Sequence, residues 1–254
     1  MPVALITGAA RGIGAAVADA LADSGWDLVL FDRCADDDGL AYSLASPAEL
    51  DAVAARTGGT PVHGDVRSIA DLESAVSGLD ALDAAVAAAG VLVGGSPLWE
   101  EEPAALELQL AVNLGGVANL AHVAVPRLLA RPEPRRGRFV AIGSATSAKA
   151  TPRLAGYAAS KAGVATLVRS LAAELAGTGV TANVVEPGTT ATALLEPSQN
   201  VYELPDAAGL VAQQIDERVL QPAEVAAGVA WLCSAQSSGV NGAVLPVDAG
   251  FSAR

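Results

Sequence analysis

The chain has 254 residues, enough for one doubly wound α/β domain, and 52% of them are hydrophobic. Its formal net charge of −13 disfavours nucleic acid and anionic membranes as partners, because the mean field repels phosphate. We find no uninterrupted apolar run of about 18 residues, no secretory signal, and no metal spacing around Cys34 and Cys233. These features predict a cytoplasmic protein with free thiols and no metal site.

Seven short apolar runs are predicted to be β-strands. They are Val3–Ile6, Leu28–Phe31, a run ending at His63–Val66, Asp83–Ala89, Arg138–Ile142, Val180–Val185 and Ala243–Val247. Helical stretches lie between them, notably Pro103–Leu129 and Tyr157–Ala176. Continuous apolar strands that alternate with helices are typical of a parallel sheet covered on both faces. The sequence therefore predicts a single domain over 1–254, with a Rossmann-type doubly wound sheet of seven parallel strands in three α/β/α layers.

A glycine-rich turn joins the first strand to the first helix and predicts a dinucleotide site. Glycines at Gly8, Gly12 and Gly14 allow a pyrophosphate to approach the backbone at a helix N-terminus, although a turn that merely needs a positive φ has the same composition. Asp32 ends the second strand, where a carboxylate accepts hydrogen bonds from the adenosine ribose and repels a 2′-phosphate. Arg33 is the competing observation, since an arginine accommodates that phosphate. The pattern favours NAD over NADP.

A tyrosine and a lysine four residues apart begin an apolar helix. Tyr157 and Lys161 project from one face, and we expect the ammonium to lower the pKa of the phenol, as a general acid–base requires. Such pairs are common on helix surfaces, so the surroundings matter. Ser144 closes the preceding strand, and Asn113 lies inside the long helix from Pro103, where it either has a function or caps a bend.

These motifs together resemble the short-chain dehydrogenase/reductase family over nearly the whole chain. The matching motifs are Thr7-Gly8-x-x-x-Gly12-Ile13-Gly14, Asp65-Val66, Asn113, Ser144, Tyr157-x-x-x-Lys161, Asn183-x-x-x-Pro187-Gly188 and Pro246-Val247-Asp248-Ala249-Gly250. The resemblance implies that Tyr157 exchanges the hydroxyl proton and that Ser144 orients the substrate oxygen. It also implies that Lys161 holds the nicotinamide ribose and that Asn113 positions a water connecting Lys161 to solvent.

The same resemblance implies a set of cofactor contacts. Asp65 and Val66 flank the adenine, and Thr192 reaches the carboxamide or the phosphates. The expected cofactor-binding set is Gly8, Arg11, Gly12, Ile13, Gly14, Asp32, Arg33, Asp65, Val66, Ala89, Gly90, Tyr157, Lys161, Pro187, Gly188, Thr189 and Thr192. The chain departs from the family where Ala87-Ala88-Ala89-Gly90 replaces the usual Asn-Asn-Ala-Gly, so the brace between neighbouring strands must come from elsewhere.

Two long segments interrupt the alternation of strands and helices. Residues 189–221 follow the sixth strand at its carboxyl end, where we expect a substrate lid. Residues 34–47 follow Asp32 as an insert that is placed to cover the adenosine half of the cofactor, or to form an ordinary surface loop. Together with the run from Phe31 to Asp38, the three alanines before Gly90 and the segment Ala230-Trp231-Leu232-Cys233-Ser234, this insert resembles the mycofactocin-associated branch of the family. That resemblance implies a non-exchangeable NAD that is re-oxidised by mycofactocin, a peptide-derived redox cofactor.

The substrate is expected to be a small alcohol or ketone. Candidate pocket residues besides Ser144 are Val93, Leu98, Trp99, Leu154, Leu194, Leu195 and Tyr202. Their character favours an apolar, uncharged secondary alcohol, alicyclic or terpenoid like carveol, while Arg153 leaves a carboxylate possible in principle. The two long helices are apolar around much of their circumference, which suits a homo-oligomer, and the family resemblance implies a tetramer.

Two other functions stay open on the sequence alone. An NADP-dependent carbonyl or 3-oxoacyl-thioester reductase is disfavoured by Asp32 and by the lack of a basic loop after the second strand. A catalytically silent NAD(H)-binding sensor needs the dinucleotide site but not the set Asn113, Ser144, Tyr157 and Lys161.

Overall fold

The computed structural model describes residues 1–253, which form a seven-stranded parallel sheet with helices on both faces. The strands are β1 (Val3–Thr7), β2 (Asp27–Asp32), β3 (Thr60–His63), β4 (Ala84–Ala87), β5 (Arg138–Ile142), β6 (Thr181–Pro187) and β7 (Val244–Val247). Their order across the sheet is β3-β2-β1-β4-β5-β6-β7, and each neighbouring pair is parallel. The predicted Rossmann-type fold is confirmed.

Helices connect the strands and cover both faces of the sheet. They are α1 (Gly12–Asp23), α2 (Pro47–Thr57), α3 (Ile69–Ala75), α4 (Pro103–Gln109), α5 (Gly116–Leu129), α6 (Ala155–Glu174), α7 (Leu195–Val201), α8 (Ala208–Val211) and α9 (Pro222–Cys233). Successive residues of a strand point to opposite faces, so Ala4 and Ile6 of β1 enter one core and Leu5 enters the other. Both faces of the central strands are therefore buried, which explains why β1, β4 and β5 are largely apolar, whereas the edge strand β3 is mostly exposed.

Several boundaries differ from the prediction. Strand β3 ends at His63, where the last bond to β2 runs from the Gly64 N–H to the Asp32 carbonyl at 3.0 Å; residues 64–66 lie beyond the strand. The predicted strand over Asp83–Ala89 is the shorter β4. Pro47 begins α2, which Ser46 caps, so only residues 34–46 of the insert form a loop. The segment 189–221 is not irregular throughout, since it contains α7 and α8.

The long helix predicted from Pro103 to Leu129 is present but changes its winding near the middle. Residues Leu110–Gly115 are π-helical, and Asn113 lies in this widened turn. The whole stretch is long and apolar enough to cross a membrane, with a mean hydropathy of 1.4 in its most apolar window. Core helices of soluble proteins share this property, and α5 packs against β4 and β5.

The sheet topology places a crevice at the carboxyl ends of β1 and β4. Strand β1 lies between β2 and β4, so the connection from β1 to β2 and the connection from β4 to β5 leave the adjacent carboxyl ends of β1 and β4 in opposite directions. Ligands of doubly wound sheets bind at such a switch point. The glycine-rich turn after β1 lies there.

Candidate active site

One cleft runs along the carboxyl edge of the sheet and encloses about 290 Å³. Side chains from the glycine-rich turn, the ends of β2 and β5, and the start of α6 line it, together with residues from both long segments. Every residue of the expected cofactor-binding set, from Gly8 to Thr192, lines this cleft.

The glycine-rich turn is shaped by close backbone contacts. Gly8 has a φ of 68°, and a Cβ there would lie 2.6 Å from the Cα of Ala89. A Cβ at Gly14 would overlap the carbonyl oxygen of Gly8. Arg11 stands at the N-cap of α1 without a side-chain cap, so the first N–H groups of this helix remain available to a ligand at the cleft. The turn and the open helix end fit a pyrophosphate.

Asp32 holds the turn from the end of β2. Its carboxylate accepts hydrogen bonds from the N–H of Ala10 at 3.0 Å and from the N–H of Cys34 at 3.2 Å. The same carboxylate borders the cleft, where it is placed to accept further bonds from ribose hydroxyls.

An ion-pair network at this end of the cleft bears on whether Arg33 is free to bind a 2′-phosphate. Arg33 lies 2.5 Å from Asp37 and 3.5 Å from Asp65, and Arg67 lies 3.1 Å and 2.6 Å from the same two carboxylates. Partial burial raises the pKa of Asp65, but hydrogen bonds from Arg67 outweigh it, so its pKa lies below the ordinary value. Arg33 is thus already paired with carboxylates, which agrees with NAD rather than a 2′-phosphate. Asp37 and Arg67 were not predicted as site residues.

Ser144 and Tyr157 meet in the middle of the cleft. Both are buried, and they are close enough for the Ser144 side chain to lower the pKa of Tyr157. The hydroxyl of Thr146 also donates to the Ser144 hydroxyl oxygen at 2.9 Å, and the Thr146 N–H approaches it at 3.3 Å. Ser144 stands at the end of β5 and Tyr157 in the first turn of α6, so two rigid elements fix the pair.

The pKa of Tyr157 corrects the expectation from the sequence. Burial raises it to about 12, while the hydrogen bond to Ser144 acts in the opposite direction and Tyr42 adds to the rise. Lys161 Nζ lies 5.9 Å from the centre of the Tyr157 ring and donates to the Ile142 carbonyl at 2.9 Å. Burial also lowers the pKa of Lys161 to about 8. The predicted lowering of the phenol's pKa by the ammonium is therefore not seen: burial is the largest influence on the pKa of Tyr157, and Lys161 is not among the groups that shift it.

Asn113 lies behind the cleft rather than on its wall. It is fully buried; its side-chain amide donates to the Val91 carbonyl at 2.9 Å and to Ser160 Oγ at 3.0 Å, and its oxygen accepts from the Val91 N–H at 2.8 Å. A Cβ on Gly90 would lie 3.3 Å from both Asn113 Oδ1 and Lys161 Nζ, so these two side chains flank Gly90. Asn113 thereby holds the segment after β4, where the usual family asparagines are replaced by alanine.

The 34–47 segment reaches from the end of β2 to the active-site side of the cleft. The Tyr42 hydroxyl accepts a hydrogen bond from the Leu92 N–H at 2.9 Å, and the Ser43 carbonyl accepts one from the Arg11 guanidinium at 2.8 Å. Leu44 and Ala45 line the cleft itself. Tyr42 was missed by the sequence analysis, which had no signal for where a loop tip would attach.

The end of the cleft beyond Tyr157, where a substrate is expected, is mostly apolar. Leu154, Leu194, Leu195 and Tyr202 line it as expected, and Tyr157 and Val201 pack in the same cluster. Arg153 is turned away: its guanidinium lies 3.4 Å from both the Val201 carbonyl and a Glu203 carboxylate oxygen.

Three of the expected pocket residues lie outside the cleft. Trp99 is 83% exposed and its indole N–H donates to Glu100, while Leu98 is 59% exposed. Val93 does not border the cleft, and its N–H donates to Gln109. These assignments were wrong because the hydrophobicity of a side chain does not fix the direction in which it points.

Residues 189–221 cover the cleft from the β6 side. The fully buried Gln214 accepts a hydrogen bond from the Thr189 N–H at 2.7 Å and so fixes the start of this segment. A Cβ on Gly12 would lie 3.3 Å from the Thr192 methyl carbon, so Thr192 lies directly above the glycine-rich turn. Gln214 was also not predicted.

The chain resembles known oxidoreductases over its full length. A short-chain alcohol dehydrogenase family model described as Enoyl-(Acyl carrier protein) reductase matches residues 8–252. The cis-4-hydroxycyclohexanecarboxylate dehydrogenase of Sinomonas cyclohexanicum is 36% identical, over 99% of this chain and 96% of that protein. The (−)-trans-carveol dehydrogenase of Rhodococcus erythropolis is 32% identical, over 98% and 96% respectively.

Solved structures give the same result. The crystal structure of carveol dehydrogenase from Mycobacterium avium in complex with NAD superposes with a TM-score of 0.93 at 31% identity. The similarity covers 100% of this chain and 98% of that one.

Proposed function

The chain belongs to the short-chain dehydrogenase/reductase family, and we propose that this NAD-dependent secondary alcohol dehydrogenase acts on an uncharged alicyclic alcohol. The observation that carries the proposal is the apolar wall formed by Leu154, Leu194 and Leu195, beside which Arg153 is engaged with Glu203 instead of facing the cleft. A carboxylate bound there would lose its hydration without gaining a cation, which is costly.

The proposed chemistry is an alcohol–ketone interconversion. Bound NAD supplies the hydride acceptor for the carbinol carbon. Ser144 and Tyr157 hold the substrate hydroxyl between their own hydroxyls, and Tyr157 accepts its proton. Lys161 holds the nicotinamide ribose, and Asn113 positions a water that leads from Lys161 towards solvent. The buried hydrogen bonds of Asn113 to Val91 and Ser160 support a fixed position for this group.

The cofactor contacts are part of the same proposal. The open N-terminus of α1 binds the pyrophosphate, and Asp32 accepts from the adenosine ribose. Val66 and Asp65 flank the adenine, while Pro187 and Gly188 line the nicotinamide. The remaining contacts come from the cofactor-binding set that lines the cleft.

A panel of cyclohexanols tests the substrate class. Neutral 4-methylcyclohexanol and cis-4-hydroxycyclohexanecarboxylate have rings of the same size and differ in charge. We expect kcat/KM for the neutral alcohol to be at least about tenfold higher than for the carboxylate. This ratio corresponds to only a part of the free-energy penalty for burying an unpaired charge. The assay contains an artificial electron-acceptor dye, so that a tightly held cofactor does not conceal turnover.

Arg153→Ala serves as the control for charge in the substrate assay. It should leave the ratio of the two kcat/KM values unchanged, because Arg153 does not face the cleft. A preference for the carboxylate that disappears in this variant would overturn the proposed substrate class.

The 34–47 segment supports a second part of the proposal, that NAD exchanges slowly and is re-oxidised in place by mycofactocin. The segment is tied to the glycine-rich turn through Arg11 and to the active-site side through Tyr42, so departure of the cofactor requires both ties to open. Isotopically labelled NAD added to the purified protein measures the exchange. We expect minutes or longer for the native protein and faster exchange for Tyr42→Phe; exchange in milliseconds, or ready multiple turnover with free NAD alone, would refute slow exchange.

Two alternatives are distinguished by simple measurements. An NADP-dependent 3-oxoacyl-thioester or carbonyl reductase requires tighter binding of NADPH than of NADH, which the pairing of Arg33 with Asp37 disfavours. If the protein is a silent NAD(H) sensor, Tyr157→Phe should change no measurable property except those of the cofactor site.

We also propose a cytoplasmic homotetramer. Exposed apolar residues support self-association: Leu98, Trp99 and Leu110, the last 37% exposed, lie on or beside the long helix. Light scattering of the purified protein measures the assembly, and a monomer at micromolar concentration would refute it.

A further inference from the structure

Glu186 is a buried carboxyl group that the proposed chemistry leaves without a role. It lies near the end of β6 and is only 5% exposed. Its side chain packs beneath the end of β5, since a Cβ on Gly143 would lie 3.0 Å from Glu186 Cγ. Gly143 directly precedes Ser144, so the carboxyl group supports the turn that carries the active-site serine.

The hydroxyl of Ser147 connects Glu186 to this turn. Its oxygen forms a hydrogen bond with Glu186 Oε1 and lies 2.7 Å from the Ser144 carbonyl oxygen. A serine hydroxyl has one hydrogen and can donate to only one of these two acceptors. An ionised Glu186 has only acceptor atoms, so it would take that hydrogen away from the Ser144 carbonyl.

We propose that Glu186 is a positioning residue that acts in its protonated form, donating to Ser147 so that Ser147 can donate to the Ser144 carbonyl. With this proton in place, Glu186 donates to Ser147 and Ser147 donates to the Ser144 carbonyl, so each of the two contacts has one donor and one acceptor. When Glu186 loses its proton, Ser147 donates to the carboxylate, and the turn that carries Ser144 loses one of its bonds. This inference rests on the proposed role of Ser144 in alcohol oxidation.

The surroundings of Glu186 favour the protonated form. Burial raises the pKa of Glu186 and the charge of Asp248, beyond β7, raises it further, whereas Ser147 and the charge of Arg169 on α6 lower it; the result lies above the ordinary value. The chain of donors is therefore complete at pH values below this raised pKa and is broken as the pH rises through it.

The test compares kcat for alcohol oxidation in the native protein and in Glu186→Gln over a range of pH. Glutamine can donate to Ser147 at every pH, so it imitates the protonated acid. The ratio of native to Glu186→Gln kcat cancels the shared ionisation of Tyr157. We expect a ratio near one at low pH that falls about fivefold as the pH rises, the rate equivalent of about one hydrogen bond. Ser147→Ala should reduce kcat at every pH, with an unchanged Kd for NADH.

Glu174→Gln, an exposed position at the end of α6, is the matched control and should follow the native profile. Hydrogen–deuterium exchange of the amides in residues 144–148 gives a readout that needs no substrate. After correction for intrinsic rates, exchange in the native protein should accelerate with pH relative to Glu186→Gln. Equal pH profiles and equal exchange in the two proteins overturn the inference, whereas an inactive native protein with the expected exchange difference overturns only the proposed function.

Discussion

The two ends of the cleft differ in the chemistry of their walls. At the adenosine end, Arg33, Asp37, Asp65 and Arg67 form a closed set of ion pairs. At the substrate end, leucine side chains form the wall, and the nearby arginine faces away. A ligand with fixed polar groups can be bound by fixed charges, whereas a small alcohol must be selected by shape and by the exclusion of charge. The comparison predicts that a substitution at one end leaves binding at the other end almost unchanged.

The largest effect is expected where the two ends meet. Tyr157→Phe should reduce kcat by at least about two orders of magnitude, because it removes the group that accepts the proton. The Kd for NADH should change less than about twofold, since a single hydroxyl near the reacting carbon contributes little to binding of the whole dinucleotide. Steady-state kinetics and a fluorescence titration measure the two quantities. Retained turnover would point to a sensor or to a different base.

The pH dependence tests how strongly the apolar end acts on Tyr157. Oxidation uses the phenolate, and the pKa of Tyr157 is raised from 10 to about 12. The phenolate fraction, and with it kcat/KM for oxidation, should therefore rise about tenfold for each pH unit without a plateau up to pH about 10. A plateau below pH 8 would show that positive charge lowers the pKa of Tyr157 after all, as the sequence analysis expected.

Cofactor preference tests the closed ion pairs. Asp37→Ala removes one carboxylate from Arg33 and frees its guanidinium for a 2′-phosphate. We expect the Kd for NADPH to fall about tenfold, the scale of one hydrogen bond between charged groups, with little change in KM for the alcohol. Asp38→Ala, at the exposed neighbouring position, is the control. An unchanged Kd for NADPH would mean that Arg33 is held by Asp65 alone.

The smallest effect is expected at the substrate end. Leu194→Ala should raise KM for 4-methylcyclohexanol about fivefold, since the loss of apolar contact in a pocket is worth about 1 kcal/mol or more. Trp99→Ala removes a larger side chain outside the cleft and should change KM less than about twofold. A stronger effect of Trp99→Ala would place this indole near the substrate in the assembled protein.

The same contrast explains what was predictable from the sequence. The number of strands, the glycine-rich turn and Asp32 follow from local patterns, because periodicity and turn chemistry depend on neighbouring residues. The meeting of Ser144 with Tyr157 was anticipated only through the family resemblance, which supplies the alignment of β5 with α6. Trp99 was misplaced, since hydrophobicity alone does not tell whether a side chain points inwards or outwards.

Long-range polar partners were the least predictable part of the site. The bond from Leu92 to Tyr42 joins residues 50 positions apart, and the support of Thr189 by Gln214 joins residues 25 apart. The expected pKa of Tyr157 was wrong for a related reason: the spacing from Lys161 is visible in sequence, but the degree of burial is not. Such contacts depend on where loops come to rest after the sheet has formed.

The packing of Gly14 against Gly8 has a consequence for how the motif is used in comparing sequences. Because a side chain at Gly14 would collide with the main chain of the same turn, this position demands glycine for folding, whether or not any dinucleotide ever binds. A descendant that had lost its chemistry would still keep this glycine. Retention of the glycine motif therefore reports on the fold. Only the residues that transfer the proton distinguish an active enzyme from an inactive relative.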